Sequence, residues 1–135
     1  MRIASLVMIG GCVLLTACSD LQPAKTATVS GYALQVKTDP APLMVGQSAG
    51  ITLSIHDGKN QPANHCKVRF RQHMPGHEMA LDNTYVLMAD EAKVGKYAAQ
   101  SGEFRMGGGW VLEFDFVCGK DRHIQPFDYH VEWPE

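Results

Sequence analysis

Seven consecutive residues, His73-Met74-Pro75-Gly76-His77-Glu78-Met79, place two imidazoles and two thioethers around a Pro-Gly pair. Imidazole ligates copper, zinc, iron and nickel, whereas thioether narrows the choice towards Cu(I). Proline fixes φ and glycine accepts φ > 0, so the pair favours a tight reversal on which side chains converge. The stretch is therefore expected to form a copper-binding loop, with Cu(I) favoured and Cu(II) accommodated by its histidines. Zinc would want more His, Cys or carboxylate. Glu78 can accept a hydrogen bond from a ligating imidazole and so fix its tautomer. Plainer roles stand beside these. His73 alone would be a solvated histidine, Met74 could pack on Trp110 as a sulfur–aromatic contact, and Met79 could plug one end of a core. His56, His65, His123 and His130 have no methionine partner nearby and read as surface residues.

The elements that must carry this loop are short and alternate with period two. Tyr32, Leu34 and Val36 make one apolar stripe, and Ile51, Leu53 and Ile55 a second, followed by the turn Asp57-Gly58-Lys59-Asn60. Cys66, Val68 and Phe70 lead into the loop. Weaker strands cover about Thr84 to Met88 and Gly95 to Gln100. Trp110, Leu112, Phe114, Phe116 and Cys118 form the strongest stripe, and the last strand sets Phe127, Tyr129, Val131 and Trp133 on one side. Strands at this spacing predict an all-β fold, an immunoglobulin-like antiparallel β-sandwich of about seven strands over residues 31–135. Lys67, Arg69 and Arg71 alternate on the polar side of their strand and read as a solvated face.

Cys66 opens the third of these strands and Cys118 closes the sixth, so an exported chain would bridge them. Two buried thiols, or a thiolate metal site with His65, are the alternatives. If the two cysteines face each other across antiparallel strands, opposite positions sum to 184, and Met74 lies opposite Trp110. Met106, just before Gly107-Gly108-Gly109-Trp110, would then hang over the His73–Met79 loop as a further soft ligand. The glycines would let that connection bend closely around a site.

The first residues look like an address. Arg2 precedes an apolar run from Ile3 to Leu15, too short for a comfortable membrane span and shaped like a secretory signal. Leu15-Thr16-Ala17-Cys18 resembles a lipobox, which implies a signal peptide over 1–17 and lipidation of Cys18. An ordinary signal peptide cut near Ala17 is the competing reading. With Ser19 after the cysteine, the lipoprotein resemblance favours the outer membrane over the inner, with the domain facing the periplasm. Residues 18–30 are expected to be the lipidated cysteine and a flexible tether. The lipid would hold the chain on the membrane without a spanning segment.

Loss of residues 1–17 removes Arg2 and no acid, leaving 11 basic and 14 acidic residues, which argues against a nucleic-acid surface. No Ser/His/Asp or paired-carboxylate arrangement is tied by spacing, and the three glycines lack the lysine and helix of a phosphate loop, so an enzyme is not expected.

In their order along the chain, these motifs resemble the YtkA-like domain family. They are Asp57-Gly58 through Pro62, the His73–Met79 segment, Gly95-Lys96-Tyr97, and Met106-Gly107-Gly108-Gly109-Trp110. Gly76 stands where that family often has a methionine, and the second methionine here is Met79. The resemblance spans roughly residues 31–117 and implies an exported immunoglobulin-like domain in a copper-rich setting, without catalysis. The expected ligands are His73, Met74, His77, Met79 and Met106, with Glu78 and Trp110 supporting them. The expected role is periplasmic copper binding, as a metallochaperone or scavenger that exchanges metal with a copper donor or acceptor. The alternative is an interaction module that docks to an envelope complex and uses the loop only as a rigid turn.

Overall fold

A computed structural model describes residues 24–77, 85–92 and 94–135. Its strands are β1 (Lys25–Val29), β2 (Tyr32–Asp39), β3 (Leu43–Met44), β4 (Gly50–His56) and β5 (Lys67–His73), followed by β6 (Val86–Leu87), β7 (Ala89–Glu91), β8 (Lys96–Gln100), β9 (Gly108–Cys118) and β10 (Asp121–Glu132). They form two five-stranded sheets, β1-β2-β4-β8-β7 and β3-β10-β9-β5-β6. Pairing is antiparallel except where β3 runs parallel to β10. The fold is all-β and sandwich-like. Leu34, Val36, Leu53, Ile55 and Tyr97 from the first sheet share one buried cluster with Val68, Phe70, Leu112, Phe114 and Phe116 from the second. Burying each such side chain contributes about 1.5–3 kcal/mol.

The alternating stripes appear where the periodicity puts them, but the described chain has ten strands where about seven were expected. Part of the difference falls in the expected tether. Lys25–Val29 pairs with β2, Val29 facing Tyr32, through a two-residue turn at Ser30 (φ 48°) and Gly31 (φ 86°). Positive φ at both central residues is the hairpin geometry that matches strand twist. The expected strand near 84–88 splits as well. Val86–Leu87 pairs with β5, and the chain then crosses at buried Met88 so that Ala89–Glu91 pairs with β8 in the other sheet. Trp133 also departs from expectation. It lies beyond β10, 66% exposed, rather than in line with Phe127 and Val131.

Cys66 and Cys118 form a disulfide with Cα atoms 4.4 Å apart. The β5–β9 register runs from Lys67↔Val117 to His73↔Val111, as the cysteine pair requires. Just before β5, the buried Tyr97 hydroxyl donates to the Ala63 carbonyl (2.6 Å) and accepts from the Cys66 amide (3.0 Å). One phenol thus ties the β8 strand to the entry of β5. The turn after β4 is held by Asp57, whose carboxylate accepts the amides of Lys59 and Gln61. These amide bonds, with Gln61 foremost, hold its pKa below the usual carboxylate range.

On the outer face of the second sheet, Lys67 is exposed as expected, but the two arginines of β5 are not simply solvated. Arg69 meets Asp115, and Arg71 meets Glu113, each directly across the strand pair. Asp115 is 3% exposed and is also held by Arg122, with bonds of 2.9 and 2.6 Å. Those Arg122 bonds, above all, pull its pKa down, with burial opposing and Arg69 reinforcing. A depressed carboxylate pKa stabilises the fold above the unfolded value, about 4, and that contribution is lost as pH falls through the folded pKa. Asp115→Asn is expected to cost about 1–2 kcal/mol at pH 7, discounted because both arginines can re-solvate. Thermal melts from pH 7 to pH 2 check this: the wild type should lose its advantage over the variant below about pH 4.

Candidate metal site

The His/Met loop begins as β5 leaves the sheet. His73, the last residue of that strand, lies opposite Val111 and follows Lys67, Arg69 and Arg71 on the outer face. Met74 turns inward and is 6% exposed. The Pro-Gly reversal forms as expected: the His77 amide donates to the Met74 carbonyl at 3.0 Å, with Gly76 at φ 79°. Proline followed by a glycine at positive φ is the type II pattern. It leaves His77 exposed at the tip. Glu78 and Met79 lie outside the described residues.

The second wall comes from the connection into β9. The Trp110 indole N–H donates to the Met106 carbonyl at 2.8 Å, which pins the methionine's backbone four residues upstream. Trp110 is itself fixed by an edge-on contact with Phe104, ring centres 5.2 Å apart. Met106 remains 38% exposed. Gly108 sits at φ 118°, and a side-chain carbon there would approach the Met74 methyl at 3.6 Å. Glycine at this point therefore brings backbone and thioether together. The Trp133 indole covers Gly107 so closely that an added Cβ would fall 2.4 Å from its nitrogen.

Between these walls lies an open cleft of about 470 Å³, lined by Met74, His77, Met106 and Trp110, among others. Two thioethers and an imidazole thus border one space, a donor set suited to Cu(I). His73 does not border it. Its Nε2 is buried and has no hydrogen-bond partner. Among the described residues no three His, Cys, Asp or Glu side chains group closely enough to hold a metal by themselves. With the donors of the described residues alone, a metal at this cleft would depend on the sulfurs of Met74 and Met106.

Three lining residues escaped the sequence reading of the site, Val111 of β9 and Asp128 and Tyr129 of β10. The Tyr129 hydroxyl is buried without a partner, and burial pushes its pKa up. The signal was available in the pairing of the last two strands, which sets Tyr129 opposite Trp110 and Asp128 opposite Val111.

No family model matches the chain, and no curated protein does. Two solved structures resemble it at low identity. One is a DUF4785 family protein from Legionella pneumophila, with TM-score 0.49 and 17% identity over 77% of this chain and 29% of that one. The other is the ZirS C-terminal domain, with TM-score 0.48 and 14% identity over 98% of this chain and 82% of that one. The chain spans less than a third of the Legionella protein.

Proposed function

We propose that the chain is a lipid-anchored copper-binding protein of the bacterial envelope, of YtkA-like, immunoglobulin-like type, that takes Cu(I) at the Met74–His77–Met106 cleft. The observation that carries this reading is the convergence of three separately placed donors. Met74 and His77 come from the β5 exit and Met106 from the β9 entry, and all three line one open space. Copper here is cargo rather than a permanent fixture. An open cleft with an exposed histidine lets a donor or acceptor protein reach the metal, as a metallochaperone or scavenger requires. The thioethers give selectivity for the reduced, soft ion. Cys18 would supply the lipid, and β1 would begin only a few residues beyond it.

A Cu(I) titration of residues 19–135, which contain every described strand, against a competing chelator tests the reading. One-to-one binding is expected, weakened about tenfold or more by Met106→Leu and by His77→Ala. His73→Ala should weaken it less, because His73 lies off the cleft. Wild-type binding that is weak and nonstoichiometric would overturn the proposal. It would favour a docking module for an envelope complex, for which exposed Trp133 beside the same cleft offers an apolar contact.

A further inference from the structure

The direction of β1 fixes the end of the sandwich from which the preceding chain departs. Val29 and Tyr32 flank the turn after β1, and the Tyr32 hydroxyl donates to the Cys118 carbonyl, so that turn lies at the disulfide end. Lys25 begins the strand towards the other end. Its Nζ donates to the Asp128 carbonyl and lies 4.3 Å from the Tyr129 ring centre, on two residues that line the cleft. The chain from Cys18 therefore joins the domain at the cleft end. Cys18 precedes Lys25 by seven positions (25 − 18). Fully extended, such a span covers about 25 Å. The 12 residues of β10 run about 40 Å at the rise of a strand. A lipid on Cys18 would thus hold the cleft end less than one domain length from the bilayer.

That end also carries the side chains an apolar surface would receive. Trp133 is 66% exposed and Met106 38%, and the Trp133 indole lies over Gly107, the residue after Met106. Tryptophan favours the membrane–water interface, where its ring sits at the level of the headgroups. Among the described residues, the other exposed large apolar side chains are Leu87, Val94 and Ile124. Leu87 and Ile124 pair with Arg69 and Asp115 in the ion-paired second sheet, and Val94 adjoins Gly95, which packs near Ala63 towards the disulfide. None of the three is aromatic. Near the cleft end, exposed Lys25 and Arg105 are outnumbered by Glu103, Asp128, Glu132 and Glu135. Attraction to anionic headgroups therefore does not drive a contact here, and the apolar side chains must.

Resting on the lipid-anchor reading above, we propose that the cleft end of the sandwich seats on the bilayer surface. Trp133 enters the interfacial zone, Met106 lies at its rim, and the disulfide end turns away. The tether decides for lipid as the occupant. A short covalent link keeps the bilayer at a high effective concentration, so even a weak contact through one indole is populated. The cleft then opens beside the headgroups.

The full chain, purified after lipoprotein processing and reconstituted in phosphatidylethanolamine–phosphatidylglycerol vesicles, tests this through its two tryptophans. Trp110 is buried and Trp133 exposed, and the difference between wild type and Trp133→Phe isolates the Trp133 emission. That emission should move to shorter wavelength on reconstitution and be quenched by lipid brominated near the headgroup. Raising the salt should leave both effects unchanged, because the contact is apolar. Lys120→Trp in the Trp133→Phe chain puts the probe on an exposed position at the disulfide end, where neither effect is expected. An unquenched Trp133 in the lipidated chain, or equal quenching at the two ends, would overturn the seating and leave the anchor intact. Mass spectrometry that finds Cys18 unmodified would overturn the anchor reading, and the seating with it.

Discussion

Replacing both Cys66 and Cys118 with alanine is expected to lower stability by about 4 kcal/mol, the loop-closure entropy of a span this long. The bridge joins residues 52 apart in sequence and sits where β9 ends and β5 is about to begin. It therefore closes the one end of that strand pair, and the cleft lies at the other. For a domain of this size the melting temperature should drop on the order of 20 °C. Thermal and urea denaturation of the double variant, in parallel with wild type, measure both quantities. A loss under about 1 kcal/mol would mean that Tyr97, through Cys66 and Ala63, already fixes this entry without covalent help.

Gly95→Ala is expected to cost about 3 kcal/mol or more, and Gly107→Ala less than about 1 kcal/mol, although both glycines are crowded. At Gly95 an added Cβ would lie 2.6 Å from the Ile55 carbonyl oxygen and 3.1 Å from the Ala63 nitrogen and the Pro62 Cα. All three are backbone atoms, and φ there is 68°, a conformation that disfavours alanine. The backbone cannot easily move. The Gly95 carbonyl accepts the Ile55 amide, and its own amide donates to Asn64 Oδ1, each at 2.8 Å. At Gly107 the obstacle is the Trp133 indole, an exposed side chain beyond the last strand that can swing aside. Denaturation of the two variants separates the cases. Similar losses at both positions would show that Trp133 is held far more firmly than its exposure indicates.

Much of the fold was legible because its strands alternate cleanly. Val68 and Phe70, and Leu112, Phe114 and Phe116, are buried on the faces that period two assigns them. The two cysteines set the register of β5 and β9, and that register alone places Met74 near Trp110, where both line the cleft. The same arithmetic sets Arg69 against Asp115 and Arg71 against Glu113, so the ion-pair face was readable from sequence, though each strand taken alone reads as a solvated edge. Other features depend on contacts that a single strand's pattern does not contain. Lys25–Val29 has little apolar periodicity, and only the Ser30-Gly31 turn reveals it as a strand. Val86–Leu87 and Ala89–Glu91 are too short to show a period, and their split between sheets follows from the crossing at Met88. The contribution of Asp128 and Tyr129 to the cleft emerges only when β10 is laid against β9. Trp133 continues the alternation of Phe127, Tyr129 and Val131 in sequence, but β10 ends at Glu132, so the pattern outruns the sheet.

X-ray absorption spectroscopy of the Cu(I)-loaded chain, wild type beside Met106→Leu, tests the central claim most directly. The account predicts sulfur and nitrogen neighbours together in the wild type, with one sulfur lost in the variant as Met106 leaves the copper. A copper environment containing only nitrogen and oxygen, or one unchanged by Met106→Leu, would contradict it. In that event the two walls of the cleft would meet for packing alone.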